Sequence, residues 1–351
     1  MATSVAQMTW LWPLISTSKW LLLVSRECQK LYSQLPKPIC ILAPMDDVTD
    51  TVFRQIVHGC APADLYMTEF VNVDVLQSPG REKLLPKLKV AASEGPVIAQ
   101  IWGKNPENYY KTVLELHEMG FVGVDINMGC PVKNVVQSGC CSALINNRGL
   151  TGEILSAVGE AAREVADETG QDFPVSVKTR LGLKAIDYTW HEFLLQHKLN
   201  MLTIHARTTK EMSKVPAHWD DLTPIRELRD KLSPTTLLVG NGDVRDRKHG
   251  EELAKQYKLD GIMIGRGIFD DPYALSSSSP WTDMTKAEKV ALYRKHVELF
   301  AETWQNNERR VVTLNKFCKI YINGFPNAKE LREELMAARD TDALLEILDK
   351  A

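Results

Sequence analysis

The chain has 351 residues, 44% hydrophobic and 25% charged, with a formal net charge of −3. That length holds one barrel of about 250 residues plus a smaller appendage. The mild acidity excludes a globally basic nucleic-acid binder, so any RNA contact has to come from local basic patches.

Residues 1–37 form an extension of unknown role. Met1 to Val24 is rich in apolar residues, but Pro13 and Lys19 interrupt it. It falls short of the roughly 20 clean apolar residues of a span. It also lacks the positive charge that precedes a signal peptide's apolar run. A packed extension or an over-long start is expected, with no membrane association.

From residue 38 short apolar runs alternate with helical stretches. The runs are ICILA (39–43), DLYMT (64–68), VIAQI (97–101), VGVDI (122–126), PVSVK (174–178), MLTIH (201–205), TLLVG (236–240) and GIMIG (261–265). Near-continuous apolar runs suit parallel strands buried on both faces. Helical patterns fall between them at 107–119, 151–169, 188–197 and 245–257, with Gly120 and Gly170 as stops. Eight strands alternating with helices predict an α/β fold, a (β/α)₈ TIM barrel over 38–275. A Ser-rich linker (276–279) then leads to a helical domain over 282–351. Arg309-Arg310 and Lys316/Lys319 are local basic clusters there, read as solvated helix faces.

In such a barrel the C-terminal strand ends carry the site. Here they read Pro44-Met45-Asp46, Glu69, Gln100, Asn127, Lys178, His205, Asn241-Gly242-Asp243 and Gly265-Arg266-Gly267. The last two groups suit a phosphate. Glycines let the backbone approach, and Arg266 adds a cationic fork. Lys178 and Gln100 suit the polar edge of a flavin, because a lysine stabilises the negative charge of the reduced ring.

Seven cysteines (28, 40, 60, 130, 140, 141 and 318) are an odd number without CxxC or a histidine cluster. This pattern argues against a disulfide framework and a zinc site, and for reduced thiols in a cytoplasmic protein without metal. Only Cys130 sits in a chemical context, the stretch Asn127-Met128-Gly129-Cys130-Pro131. Gly and Pro predict a turn that displays the thiol at the barrel mouth. A thiol with pKa about 8.5 is an efficient acid near neutrality. Nucleophilic use is the rival, with His205 a base that another strand end can bring close.

The motifs LAPMDDVTD (42–50), TEFV (68–71), DINMGCP (125–131), KTRLG (178–182), HARTT (205–209), NGD (241–243), IGRG (264–267) and KFCKIYINGFPNAKELRE (316–333) resemble the tRNA-dihydrouridine synthases, and most closely their C-type bacterial branch. The resemblance implies FMN as cofactor and NADPH as reductant. It implies hydride transfer from flavin N5 to C6 of a D-loop uridine, uridine 16 for that branch, with Cys130 protonating C5. It assigns FMN to Pro44, Met45, Asp46, Gln100, Lys178, His205, Asn241, Gly242, Asp243, Gly265 and Arg266. Glu69, Asn127 and Arg180 are then candidates to meet the uridine or its neighbours. The helical domain would grip the D-loop/elbow region of tRNA, and a monomer is expected. Two departures stand out. Met212-Ser213 replaces a usual Gly-Tyr pair, and Cys140-Cys141 stands where glycines are common; neither cysteine is read as catalytic. The competing expectations are an FMN barrel acting on a small enone, and a tRNA-binding or folding protein with a vestigial flavin site.

Overall fold

The computed structural model describes residues 31–305 and 308–351. Nine strands form one parallel sheet. They are β1 Ile39–Leu42, β2 Tyr66–Met67, β3 Val71–Asn72, β4 Val97–Trp102, β5 Val124–Met128, β6 Val175–Arg180, β7 Met201–His205, β8 Leu237–Asn241 and β9 Gly261–Ile264. The hydrogen-bonded order is β1-β9-β8-β7-β6-β5-β4-β2, with β3 also on β4. A parallel bridge between Ile41 and Leu65 brings β1 beside β2. The result is the expected eight-staved (β/α)₈ barrel, with its second stave divided into β2 and β3 around Thr68–Phe70.

The ladders run past four of the apolar runs, β4 reaching Trp102 and β8 reaching Asn241. β5 continues through Asn127 and Met128, and β6 through Thr179 and Arg180, so Asn127 and Lys178 lie within strands. The apolar run stops earlier because alternate side chains turn into the barrel, where they become polar near the mouth. Deeper inside, Ile39, Ile41, Met67, Ile98, Met201 and Met263 form an apolar plug. Tyr32 joins that plug with Leu31 and Leu35 packed against it, whereas 1–30 lie outside the described residues.

The outer helices follow the sequence signals. Helix Thr51–Cys60 is capped by the Asp50 carboxylate, helix Pro106–Glu118 starts with proline behind an Asn105 cap, and helix Arg148–Thr169 ends at Gly170 in the left-handed region (φ 69°).

The C-terminal region is helical: Lys286–Thr303, Asn315–Tyr321, Ala328–Ala337 and Thr341–Asp349. A capping box of Thr285 and Glu288 starts the first. That helix packs on Thr51–Cys60, and the rings of Phe53, Phe269, His296 and Phe317 meet across the seam with centroids 4.8–6.4 Å apart. No helix among the described residues is long and apolar enough to cross a membrane.

Candidate active site

The turn bearing Cys130 is held by a chain of amides rising from the barrel interior. Asp125, fully buried, accepts from Ser176 Oγ (2.7 Å) and from Gln100 Nε2 (2.7 Å). Gln100 Oε1 then accepts from Asn127 Nδ2 (2.9 Å). Asn127 Oδ1 is thereby aimed upward, and accepts from the backbone N–H of Gly129 (3.1 Å) and of Cys130 (2.9 Å). Because a carboxylate only accepts, Asp125 sets the direction of both amides above it. Burial pushes its own pKa up to about 6, against the hydrogen bonds from Ser176 and Gln100.

Two further contacts close the turn. Arg180 Nε donates to Gly129 O (2.7 Å) and Ser142 Oγ donates to Cys130 O (2.9 Å). Cys130 is therefore 9% exposed, and not displayed on an open loop as the Gly-Cys-Pro pattern suggested. The neighbouring Cys141 thiol brings the Cys130 thiol down to about 7, against burial, with help from the Val132 N–H and Arg180.

At the C-terminal ends of the strands lies a cavity of about 750 Å³, within the usual size of a cofactor site. Of the residues expected to bind a cofactor, Pro44, Met45, Lys178, His205, Asn241, Gly242, Asp243, Gly265 and Arg266 line it. Gly242 has φ +125°, and a Cβ on Gly267 would meet Arg245 O at 2.1 Å, so both positions demand glycine. Lys178 makes no ion pair among the described residues, and burial brings its pKa to about 8. Burial, then Arg180, Lys178 and Arg207, keep His205 well below the ordinary imidazole range. Arg207 Nη1 donates to His205 Nε2 (3.2 Å), which leaves the imidazole proton on Nδ1.

Arg207 was not recognised in the sequence. It is 2% exposed, binds Val215 O (2.6 Å) and pairs with Asp243, which also accepts from Arg266 Nη2 (2.8 Å). Only its place two residues beyond a strand end pointed toward the mouth.

The other expected residues stand back from the cavity lining. Asp46 pairs with Lys87 on the half-exposed loop after β1. Gln100 and Asn127 are committed to the amide chain. Arg180 spans Gly129 O, Thr208 O (3.2 Å) and Met212 O (2.9 Å). Glu69, fully buried, accepts from Asp47 N (2.7 Å) and pairs with Arg309. Arg309 also lies 3.5 Å from Asp50 and 5.1 Å above the Trp304 ring. It is thus not on a solvated helix face: its guanidinium neutralises two buried carboxylates that the sequence keeps far from it. Arg310, Lys316 and Lys319 are exposed, and Lys316 and Lys319 line a second cleft of about 420 Å³ with Phe269, Asp270, Ile320 and Asn323.

The cavity thus joins an anion cradle, an unpaired lysine and a neutral imidazole; Cys130 is not among its lining residues, and its turn is tied through Arg180 to the strand that carries Lys178. Together the cavity residues can bind a phosphorylated ring cofactor. The profile of the dihydrouridine synthase family (Dus) matches residues 41–351. A probable tRNA-dihydrouridine synthase of Staphylococcus aureus (strain Mu50) is 41% identical over 325 residues, 92% of this chain and 95% of that protein. Probable tRNA-dihydrouridine synthase 2 of Bacillus subtilis (strain 168) is also 41% identical, over 92% and 96%. Among solved structures, a 2-naphthoyl-CoA reductase complex shares the fold at TM-score 0.50 and 11% identity, over 67% of this chain and 48% of that one.

Proposed function

Since the chain belongs to the dihydrouridine synthase family, we propose that it uses FMN and NADPH to reduce the C5=C6 bond of a D-loop uridine in tRNA, uridine 16, in the cytoplasm. The observation that carries this reading is one cavity lined by Lys178, His205 and the strand-end residues Gly242, Gly265 and Arg266, with the Cys130 turn bound by Arg180, two residues along the strand that carries Lys178.

The residues fit FMN. Gly242, Asp243, Gly265 and Arg266 offer close backbone and a guanidinium to its phosphate, and Lys178, without a carboxylate partner, suits the anionic edge of its reduced ring. When bound, the flavin supplies the hydride that goes to C6. Cys130, half protonated near pH 7, gives its proton to C5 as general acid. Asn127 and Arg180 hold the Cys130 turn against the target base. A base in a folded RNA has to leave its stack to reach such a site. The C-terminal region, residues 282–351, grips the tRNA by backbone and shape, with exposed Arg310, Lys316 and Lys319 as phosphate contacts. No second protomer enters the scheme, and we treat the enzyme as a monomer.

The test combines purified protein, NADPH and unmodified tRNA. Dihydrouridine forms with wild type, and Cys130→Ala retains flavin absorbance but forms on the order of 10²-fold less product, the size of a general-acid contribution. Equal rates would overturn the acid assignment. NADPH oxidation stimulated by a free enone and not by tRNA would overturn the substrate. Mapping dihydrouridine in tRNA from a deletion strain, with and without the gene restored, decides the position.

A further inference from the structure

Past the end of β7 a row of polar groups has no part in the proposed reaction. Arg207 stands two residues beyond the strand and is 2% exposed, and it lines the cavity beside His205. Its guanidinium is fixed from three sides. Nε donates to Val215 O (2.6 Å), Nη2 pairs with Asp243 Oδ2, and Nη1 reaches His205 Nε2 at 3.2 Å. Asp243 is held in turn: Oδ2 also accepts from Ala217 N (3.1 Å), and Oδ1 accepts from Arg266 Nη2 (2.8 Å).

A guanidinium has five N–H donors and no acceptor. Its contact with His205 therefore has one sense: Nε2 accepts and carries no proton, and the ring proton sits on Nδ1. The same contact excludes the imidazolium, in which both nitrogens donate. Arg180, Lys178 and Arg266, the other cations around the ring, also oppose a charged imidazole. Among the described residues no group accepts from Nδ1, and this atom is not sealed in the interior as Tyr32 Oη, Thr203 Oγ1 and Trp304 Nε1 are. It is left to the cavity that His205 lines. On the ring's other edge Gly242 lets the backbone come close, since a Cβ there would stand 3.2 Å from His205 Cδ2.

We propose that Arg207 is a positioning residue for cofactor binding: held by Asp243, it fixes His205 in the Nδ1–H tautomer, so that the cavity presents an uncharged N–H donor to an acceptor atom of the flavin. The inference rests on the reading of the cavity as a flavin site. It also gives Asp243 a part that the sequence did not suggest. Its carboxylate would repel a phosphate, and instead it sets two guanidiniums, Arg266 at the cradle and Arg207 behind the imidazole.

The test is ¹⁵N NMR of the protein labelled at histidine, without flavin, with the His205 signals identified by their loss in His205→Ala. In wild type Nδ1 carries the proton and Nε2 is bare. In Arg207→Met, which removes the donor, the proton distributes over both nitrogens. A wild-type ring with its proton on Nε2, or an Arg207→Met ring indistinguishable from wild type, overturns the inference. FMN affinity, read from the quenching of flavin fluorescence, falls about fivefold in Arg207→Met, the size of one neutral hydrogen bond. It falls no further when Arg207→Met is added to His205→Ala, because the two residues then act as one. An equal loss in both backgrounds would mean that Arg207 does not work through His205, and the assignment fails. Wild-type protein that takes up no FMN counts against the proposed function instead, since the tautomer is read without flavin.

Discussion

Asn127 shows how one side chain can serve a site without facing its ligand. Its Oδ1 satisfies two buried N–H groups of the Cys130 turn, and its Nδ2 is held by Gln100. Asn127→Ala leaves those donors unpaired, which costs about 1–3 kcal/mol for each buried group. We expect a lower urea midpoint and, on the reading of Cys130 as the acid, a fall in kcat with KM for tRNA little changed. A rise in KM with unchanged kcat would instead put Asn127 on the substrate. The motif DINMGCP made Asn127 and Cys130 visible as polar residues at a strand end. It did not reveal the direction of the amides, because that depends on Asp125 and Gln100 meeting across two strands.

Among elements, the seam between the barrel and the C-terminal helices bears directly on the loop after β1. Arg309 reaches Glu69 and Asp50, and Lys316 Nζ donates to Asp47 O (2.7 Å). Residues 44–50 are thereby braced from a region remote in sequence. Arg309→Ala strands a fully buried Glu69, a loss of about 3–5 kcal/mol of the kind seen when one partner of a buried pair is removed. Urea unfolding measures it, and Glu69→Gln in the same chain should recover part of the loss. If Arg309→Ala is neutral, the pair is no brace. Flavin retention gives a second readout, since Pro44 and Met45 belong to the braced loop.

For the molecule as a whole, buried histidines set an acid limit. Burial lowers His296 to about 3 and His191 to about 4. An unfolded histidine takes its proton near pH 6.5, whereas these two in the folded state do not. Their contribution is therefore complete above about pH 6.5 and is lost as pH falls through 6.5 toward the folded values, at ~1.4 kcal/mol per pH unit for each. Unfolding free energy measured from pH 7.5 down to 5 should show this decline. His296→Gln should make the slope shallower by one group's share, and an unaltered slope would mean that His296 is protonated in the folded chain.

The barrel and the glycines at the ends of its last strands were legible in the chain itself, because each rests on local signals. Apolar runs at strand length and glycine where φ or close approach requires it depend on neighbours a few residues away. The strand limits at Asn127 and Lys178 were less legible, since the ladder continues after the apolar run stops. What tertiary structure decided is which polar groups meet. Glu69 and Arg309 are 240 residues apart. Arg207 finds Asp243, and Ser142 reaches back to the Cys130 carbonyl. Burial makes these pairings matter, because a polar group removed from water has to find its partner inside the fold, and no local pattern specifies that partner.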